Sequence, residues 1–466
     1  LNSSDTENDN IAIGYDAMTT DTAGGQHNLA IGNYTMDALT SGDGNIAIGN
    51  SAMGVATTAG SNTAIGYAAL DANTTGNINV AIGYDALGAL TTADANVAVG
   101  REALASVTTG TRNTAVGTSA GMTATTVADN TSLGYATLKD NAAGNNTGVG
   151  SYALTENTTG SENTALGKDA MKINTTGNQN TSVGVSALQN NTTAANNTAV
   201  GYFSMLSNTT AANNTAIGSN SLQVNTTGAD NTAVGYTTLD ANTTGASNTG
   251  LGAYALGGCT EGDKNTAVGE ACLLTLTTSD GNTAMGANAA RFVTTGAANT
   301  VIGKNAGYNL TTGDNNTFIG DDAGKDGVRN VTTGSNEVVI GNNQVTRAAI
   351  KVDWTVGSDE RDKADITDFT HGLNYVNQLR PVNYVWDDRS NYEDGVSDGT
   401  KKKDLIDIGF LAQEVQAIET DLGINNHAIV DTSNSDTFGI KYARLIPVLV
   451  NAIQELSAEV EALKAK

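Results

Sequence analysis

Ser358 and Lys363 are the residues of this chain whose types and spacing could support covalent chemistry. A serine hydroxyl becomes a nucleophile when a neutral lysine amine takes its proton, a known variant of the nucleophile–base arrangement. Lys363 stands five positions after Ser358, so a compact turn or a first helical turn would bring amine to hydroxyl. Asp359, Glu360, Asp362 and Asp365 crowd the lysine and favour its charged form, so a fold that used it as a base would have to shield it from some of them. Taken alone, Ser-x-x-x-x-Lys reads as a surface turn.

Other candidate groups do not converge. His27, His371 and His427 are far apart and form no metal-ligand spacing. Single carboxylates such as Asp71, Asp85, Asp169 and Asp240 read as solubilising turn acids, because a glycosidase needs two carboxylates at a fixed separation. Cys259 and Cys272 cannot make a disulfide scaffold; they read as buried thiols, or alternatively as one bridge. The glycine-rich calcium-binding nonapeptide is missing from the chain. No cofactor and no metal are expected. The many Asn-x-Thr triplets follow from an internal repeat and are not by themselves read as glycosylation sites.

That repeat dominates the chain. A phrase close to Asn-Thr-Ala-Val-Gly begins at Asn10 and returns with its glycine at Gly32, Gly49, Gly66 and onward to Gly320, almost always in steps of 17 residues. Asn stands four residues before each of these 19 glycines, and a last variant ends at Gly341. Asn-Thr-Thr-Gly and Ala-Leu segments recur in phase, for example Asn225–Gly228 and Ala153–Leu154. One unit therefore reads as a short strand, a glycine turn, a small apolar patch and a second turn. Seventeen residues are too few for a two-helix repeat but suit one coil of a β-solenoid. About twenty coils at roughly 4.8 Å each would make a shaft on the order of 95 Å. The residue before each glycine is apolar and the one before that is usually Ala, Ser or Gly, with Val301 and Phe318 as late exceptions, so both strand faces lack charge. A strand dry on both faces must be covered on both, by the coil interior on one side and by a neighbouring chain on the other. The repeated asparagines, among them Asn62, Asn96, Asn163, Asn197, Asn231 and Asn265, either hydrogen-bond up the solenoid as a ladder or cap their own turns.

Composition agrees with a shaft. The 466 residues hold 54 Gly but 2 Pro, which excludes collagen, and the low share of charged residues argues against disorder. A formal charge of −25 makes a nucleic-acid backbone an unsuitable partner. No apolar run is long enough to span a membrane, the polar start is unlike a signal peptide, and the missing initiator Met suggests a trimmed start with an attachment segment upstream. The period stops near Lys351-Val-Asp-Trp354, which gives a shaft at 1–341, a linker at 342–357 and a small domain at 358–466. That domain holds a polar stretch from Asp387 to Asp404, read as a solvated loop. It ends in a helix after Pro447, with Ile446, Leu449, Ile453, Leu456, Val460 and Leu463 at steps of three and four. Those steps predict a coiled-coil seam or, alternatively, a helix packed on its own domain.

Four stretches of the tail, Ser358-Asp-Glu-Arg-Asp-Lys363, Gly372-Leu-Asn-Tyr with Leu379-Arg-Pro-Val-Asn-Tyr384, Gly409-Phe-Leu-Ala-Gln-Glu-Val415 and Tyr442–Val450, resemble a known family. They are similar to the self-cleaving intramolecular chaperone at the C-terminus of phage tail spikes and fibres, as in endosialidases, which is serine peptidase family 74. The resemblance implies a homotrimer, Ser358 as nucleophile, Lys363 as its base and Gly357–Ser358 as the scissile bond. The repeats resemble the heads of trimeric autotransporter adhesins of the YadA type, although the coil here is longer and their membrane anchor is missing.

The fold class expected is thus mainly β: a trimeric parallel β-solenoid followed by a small α+β chaperone domain. The function expected is a phage virion fibre, extracellular after release, that meets a host surface glycan or other receptor and joins other virion tail proteins. No nucleic acid and no membrane are expected as partners. A bacterial adhesin or filament with the same trimerising domain is the alternative. A depolymerase tailspike is a third reading, weakened because no insertion interrupts the repeats.

Overall fold

The computed structural model describes residues 9–20, 24–325, 329–349, 351, 355–389, 392–424, 428–433 and 437–466. Each repeat contributes one strand of three residues, from β1 (Ile11–Ile13) to β20 (Val338–Ile340). Neighbouring coils pair their strands in parallel and in register, as Thr198, Ala199 and Val200 do with Thr215, Ala216 and Ile217. Together the twenty strands make one parallel sheet. The strand ends at glycine for two reasons. At Gly201 the backbone takes φ +142, a region L side chains rarely adopt, and a Cβ there would lie 2.3 Å from the carbonyl oxygen of Gly218 in the next coil.

The rest of each coil is not strand, yet it also bonds coil to coil. Leu188 donates its backbone N–H to Ser204 and Thr192 to Thr209. Non-glycine residues in left-handed conformation bend the chain there, Ser186, Leu188 and Asn196 in a single coil. Leu188 adopts φ +50 while its side chain is fully buried, so interior packing holds a backbone geometry the residue would not choose. Mid-strand alanines such as Ala199 and Ala216, with the buried leucines, fill a narrow core. Where Phe318 takes the alanine position, the usual leucine is replaced by Gly324, and a Cβ added to that glycine would meet the Phe318 ring at 3.2 Å. The outer strand face is open in the single chain: Ile13, Leu133, Leu166, Leu251 and Met285 are all exposed.

The chain divides into two compact units, Leu1–Thr317 with Thr332–Val338, and Phe318–Val331 with Val339–Lys466. In the second unit α1 (Leu373–Val376) precedes an antiparallel pair, β21 (Val382–Val385) and β22 (Ile406–Gly409). Then come α2 (Ala412–Asp421), the short pair β23 (Val430–Asp431) and β24 (Gly439–Ile440), and α3 (Leu445–Lys464). Their core gathers Tyr375, Val415, Ile418, Ile429, Val430, Leu445 and Val448. Pro447 falls in the first turn of α3, where a missing N–H leaves no hydrogen bond unmade. One face of α3 packs inward through Leu445, Val448 and Ala452, while Ile446, Leu449, Ile453, Leu456, Val460 and Leu463 are exposed. The helix thus packs on its own domain by one face and leaves the heptad seam free on the other.

Candidate functional site: the Ser358–Lys363 turn

A short 3-10 turn, Glu360–Asp362, separates serine from lysine. Asp359 caps it: its Oδ1 accepts the Arg361 backbone N–H at 2.9 Å, replacing a bond the turn itself cannot supply. The turn closes through Asp362 N–H to the Asp359 carbonyl and Lys363 N–H to the Glu360 carbonyl. Lys363 then leaves in extended conformation and its side chain folds back. Its Nζ lies 2.7 Å from Ser358 Oγ and 3.2 Å from the Ser358 carbonyl oxygen. A charged ammonium donates to the hydroxyl; with a neutral amine the same separation lets the hydroxyl donate to nitrogen, the direction a general base requires. A Cβ added at Gly357 would meet no heavy atom within 4 Å outside its chain neighbours, so the residue is uncrowded on that side.

Electrostatics around the lysine are simpler than the sequence suggests. The Arg361 guanidinium grips Asp359 with Nε on Oδ1 at 3.0 Å and its terminal nitrogen on Oδ2 at 2.6 Å. That hydrogen bonding holds the Asp359 carboxyl below the usual carboxylate range and raises Arg361. One of the four acids near Lys363 is therefore engaged elsewhere. Residues 355–370 are all exposed in the single chain. Asp359 and Arg361 both stand in the Ser358–Lys363 stretch that the sequence singles out, but their pairing is not read from it; an Asp directly ahead of a turn is a recognisable capping residue.

Residues 358–424 match the family model described as Chaperone of endosialidase. The C-terminal unit carries a chaperone-of-endosialidase domain. Its matched span opens on Ser358 and ends beyond α2, whereas the resemblance carried by the motifs runs on to residue 466. No curated protein matches the chain.

The other predicted site residues belong to the solenoid repeats. Asn62, Asn96, Asn163, Asn197, Asn231 and Asn265 are buried in the solenoid. Each Oδ1 accepts the backbone N–H of the asparagine one coil on, at 2.9 Å from Asn79 to Asn62 and from Asn214 to Asn197. Each Nδ2 donates forward to a carbonyl, Asn62 to Gly76 and Asn197 to Ala211, both at 2.9 Å. Several amides also bond directly, as Asn79 does to Asn62 at 3.2 Å. A second column runs through Asn141, Asn157, Asn174, Asn191, Asn208, Asn225 and Asn242, linked by Nδ2-to-Oδ1 bonds such as Asn191 to Asn174 at 2.7 Å. In the sequence this asparagine reads only as a turn residue of Asn-Thr-Thr-Gly. Above Asn242 the position becomes Cys259, and Asn242 Oδ1 is buried without a partner.

Cys259 and Cys272 are free and buried, and burial pushes their thiols up to about 11 and about 12. His27 sits 3.7 Å from Asp9 at the surface and His371 beside Asn374, while His427 lies outside the described residues. No group of three or more His, Cys, Asp or Glu among the described residues could hold a metal ion. An apolar cleft in the second unit, about 280 Å³ and lined by Phe369, Ile424, Pro447 and Val448, contains the carboxylate Glu419. Its oxygens accept the Ile429 and Val430 N–H groups, a structural duty. No helix among the described residues is long and apolar enough to cross a membrane.

Proposed function

We propose that this protein is the shaft of a trimeric phage fibre that contacts a host cell surface, assembled by its C-terminal chaperone domain, which then cuts itself off. The observation that carries this reading is the lysine amine 2.7 Å from the hydroxyl of Ser358, the residue on which the chaperone match begins. Ser358 Oγ attacks the Gly357 carbonyl carbon while Lys363 Nζ takes the hydroxyl proton. The Gly357–Ser358 C–N bond breaks, the Ser358 nitrogen receives the proton, and an ester joins Gly357 to Ser358 Oγ. Water hydrolyses that ester, giving a Gly357 carboxylate and restoring the hydroxyl. The products are residues 1–357 and 358–466. A shaft separated from its chaperone cannot use it again, so the assembled trimer becomes kinetically trapped.

Trimerisation draws support from three features: the chaperone match, the open strand face and the free seam of α3. Isoleucine and valine alternating with leucine along that seam would by themselves favour two strands, so the threefold number comes from the family resemblance. A virion location, a host glycan or other receptor, and other tail proteins as neighbours belong to the same reading, as does the division into shaft, linker at 342–357 and domain. Mass spectrometry of the freshly expressed chain, with analytical ultracentrifugation of the same sample, tests it. Two fragments meeting at Gly357–Ser358 and a trimeric mass are expected, with Ser358→Ala and Lys363→Ala uncut but still trimeric. A confirmed trimer that stays whole at 47.3 kDa per chain would leave the domain a chaperone without peptidase activity. A stable monomeric shaft would end the fibre reading.

A further inference from the structure

We propose that the Asp359–Arg361 ion pair is the positioning element of the self-cleavage turn: it holds the geometry that seats Lys363 on Ser358 and keeps the Asp359 carboxylate from competing for the lysine. This rests on reading Ser358 and Lys363 as the cleavage pair. Both oxygens of Asp359 are engaged, Oδ1 by the Arg361 backbone N–H and Nε and Oδ2 by the guanidinium end. The capping bond and the guanidinium contacts therefore close on the same two residues that precede the lysine. No described hydrogen bond or ion pair joins residues 358–365 to another segment, so the turn is held by these contacts, its own two backbone bonds and the lysine's contacts with Ser358.

The charged groups nearest Lys363 along the chain are Asp359, Glu360, Arg361, Asp362 and Asp365. Asp359 directly follows the nucleophile, so once released its carboxylate would compete with the hydroxyl for the amine. A carboxylate paired with the amine holds the proton on nitrogen and removes the base. Arginine suits the task better than lysine, because its planar fork meets two carboxylate oxygens at once and stays charged at every working pH. Arg361 and Asp359 act here through Lys363 and do not touch the reacting atoms.

The experiment follows self-cleavage of the full chain between about pH 6 and pH 10 for wild type, Arg361→Gln, Arg361→Lys and the double variant Asp359→Asn with Arg361→Gln. Cleavage rises with pH as the amine loses its proton. Arg361→Gln is expected to move the midpoint up by about half a unit, so that cleavage on the acid side is about threefold slower. Asparagine at 359 keeps the cap without the charge, so the double variant returns the midpoint to the wild-type value. Arg361→Lys restores the charge but not the fork and falls between. Wild-type rate and midpoint in Arg361→Gln would overturn the proposal while leaving the cleavage reading intact. A second measurement is independent of cleavage: the side-chain amine of Lys363 is titrated by NMR in Ser358→Ala, with and without Arg361→Gln. An upward move of its titration midpoint supports the pair's role even in a chain that never cuts. An unmoved midpoint sinks that role even in one that does.

Discussion

The solenoid and the C-terminal unit solve the same problem in opposite ways. Every coil of the solenoid leaves backbone and amide groups that it cannot satisfy alone, and the next coil satisfies them, as Asn214 and Ala211 do for Asn197. The C-terminal unit closes a small core around Tyr375 and Val448 and leaves a row of apolar side chains on α3 uncovered. The polar groups of the solenoid are completed by more of its own chain, although its outer strand face stays open. The C-terminal unit leaves the seam residues Ile446 to Leu463 exposed in the single chain. Repetition therefore satisfies polar groups coil by coil, because the partner is always the neighbouring coil, whereas the non-repeating unit closes on a core of its own.

The largest effect expected from breaking that contrast is in the first Asn column. Asn197→Ala strips a buried acceptor from the Asn214 N–H and a donor from the Ala211 carbonyl, and should cost about 2–5 kcal/mol. Chemical denaturation would measure it, with faster amide exchange at Asn214 locating the damage. Survival of both the denaturation midpoint and that protection would show that the column is ornamental.

The second column gives a sharper comparison, because the same substitution meets different neighbours. Asn191→Leu breaks bonds to Asn174 and from Asn208 and should cost about 1–3 kcal/mol. Asn73 stands between the apolar Ala56 and Leu90 and bonds only within its own turn, so Asn73→Leu should lie within about 1 kcal/mol of neutral. Equal losses in the two variants would mean that the column adds nothing beyond each turn.

A smaller effect depends on pH. The folded thiols of Cys259 and Cys272 ionise only near 11 and 12, but once unfolded they ionise near the ordinary value of 9.0. The unfolded chain therefore loses protons first. Stability from this source is intact below about pH 9 and falls by about 1 kcal/mol per thiol per pH unit as pH rises above it. Melting wild type beside the double variant Cys259→Ala with Cys272→Ala isolates the thiols from other groups that titrate there. Parallel curves between about pH 8 and pH 10 would contradict their burial.

The smallest effect on the single chain is expected at the α3 seam. Ile453→Asp replaces an exposed side chain and should leave the domain's own melting within about 0.5 kcal/mol. The same change should abolish self-association measured by sedimentation. Unchanged association would place the contact between chains elsewhere, on the strand face for instance.

The repeat was fully legible, since 19 asparagines in register admit few architectures and the strands fall where the phrase predicts them. By type and spacing alone Ser358 and Lys363 read as a surface turn; what the spacing allowed was the fold-back of the lysine over a turn of that length, which the structure has. What the first column does with its amides was not: ladder and cap were both open, and the fold assigns each amide a forward bond into the next coil. Nor does propensity place leucine at φ +50, where only the packing of neighbouring coils holds Leu188.

Composition and period by themselves determined a narrow β-solenoid with a distinct tail, because a dry strand, an invariant glycine and a 17-residue step are local constraints every coil must obey. Tertiary structure alone decided which groups meet across those steps. It turned the Asn of Asn-Thr-Thr-Gly into a buried column, left one face of α3 free while burying the other, and set Arg361 on Asp359 beside the lysine. These outcomes depend on distances between residues far apart in the chain or on the rotation of a side chain, and periodicity fixes neither.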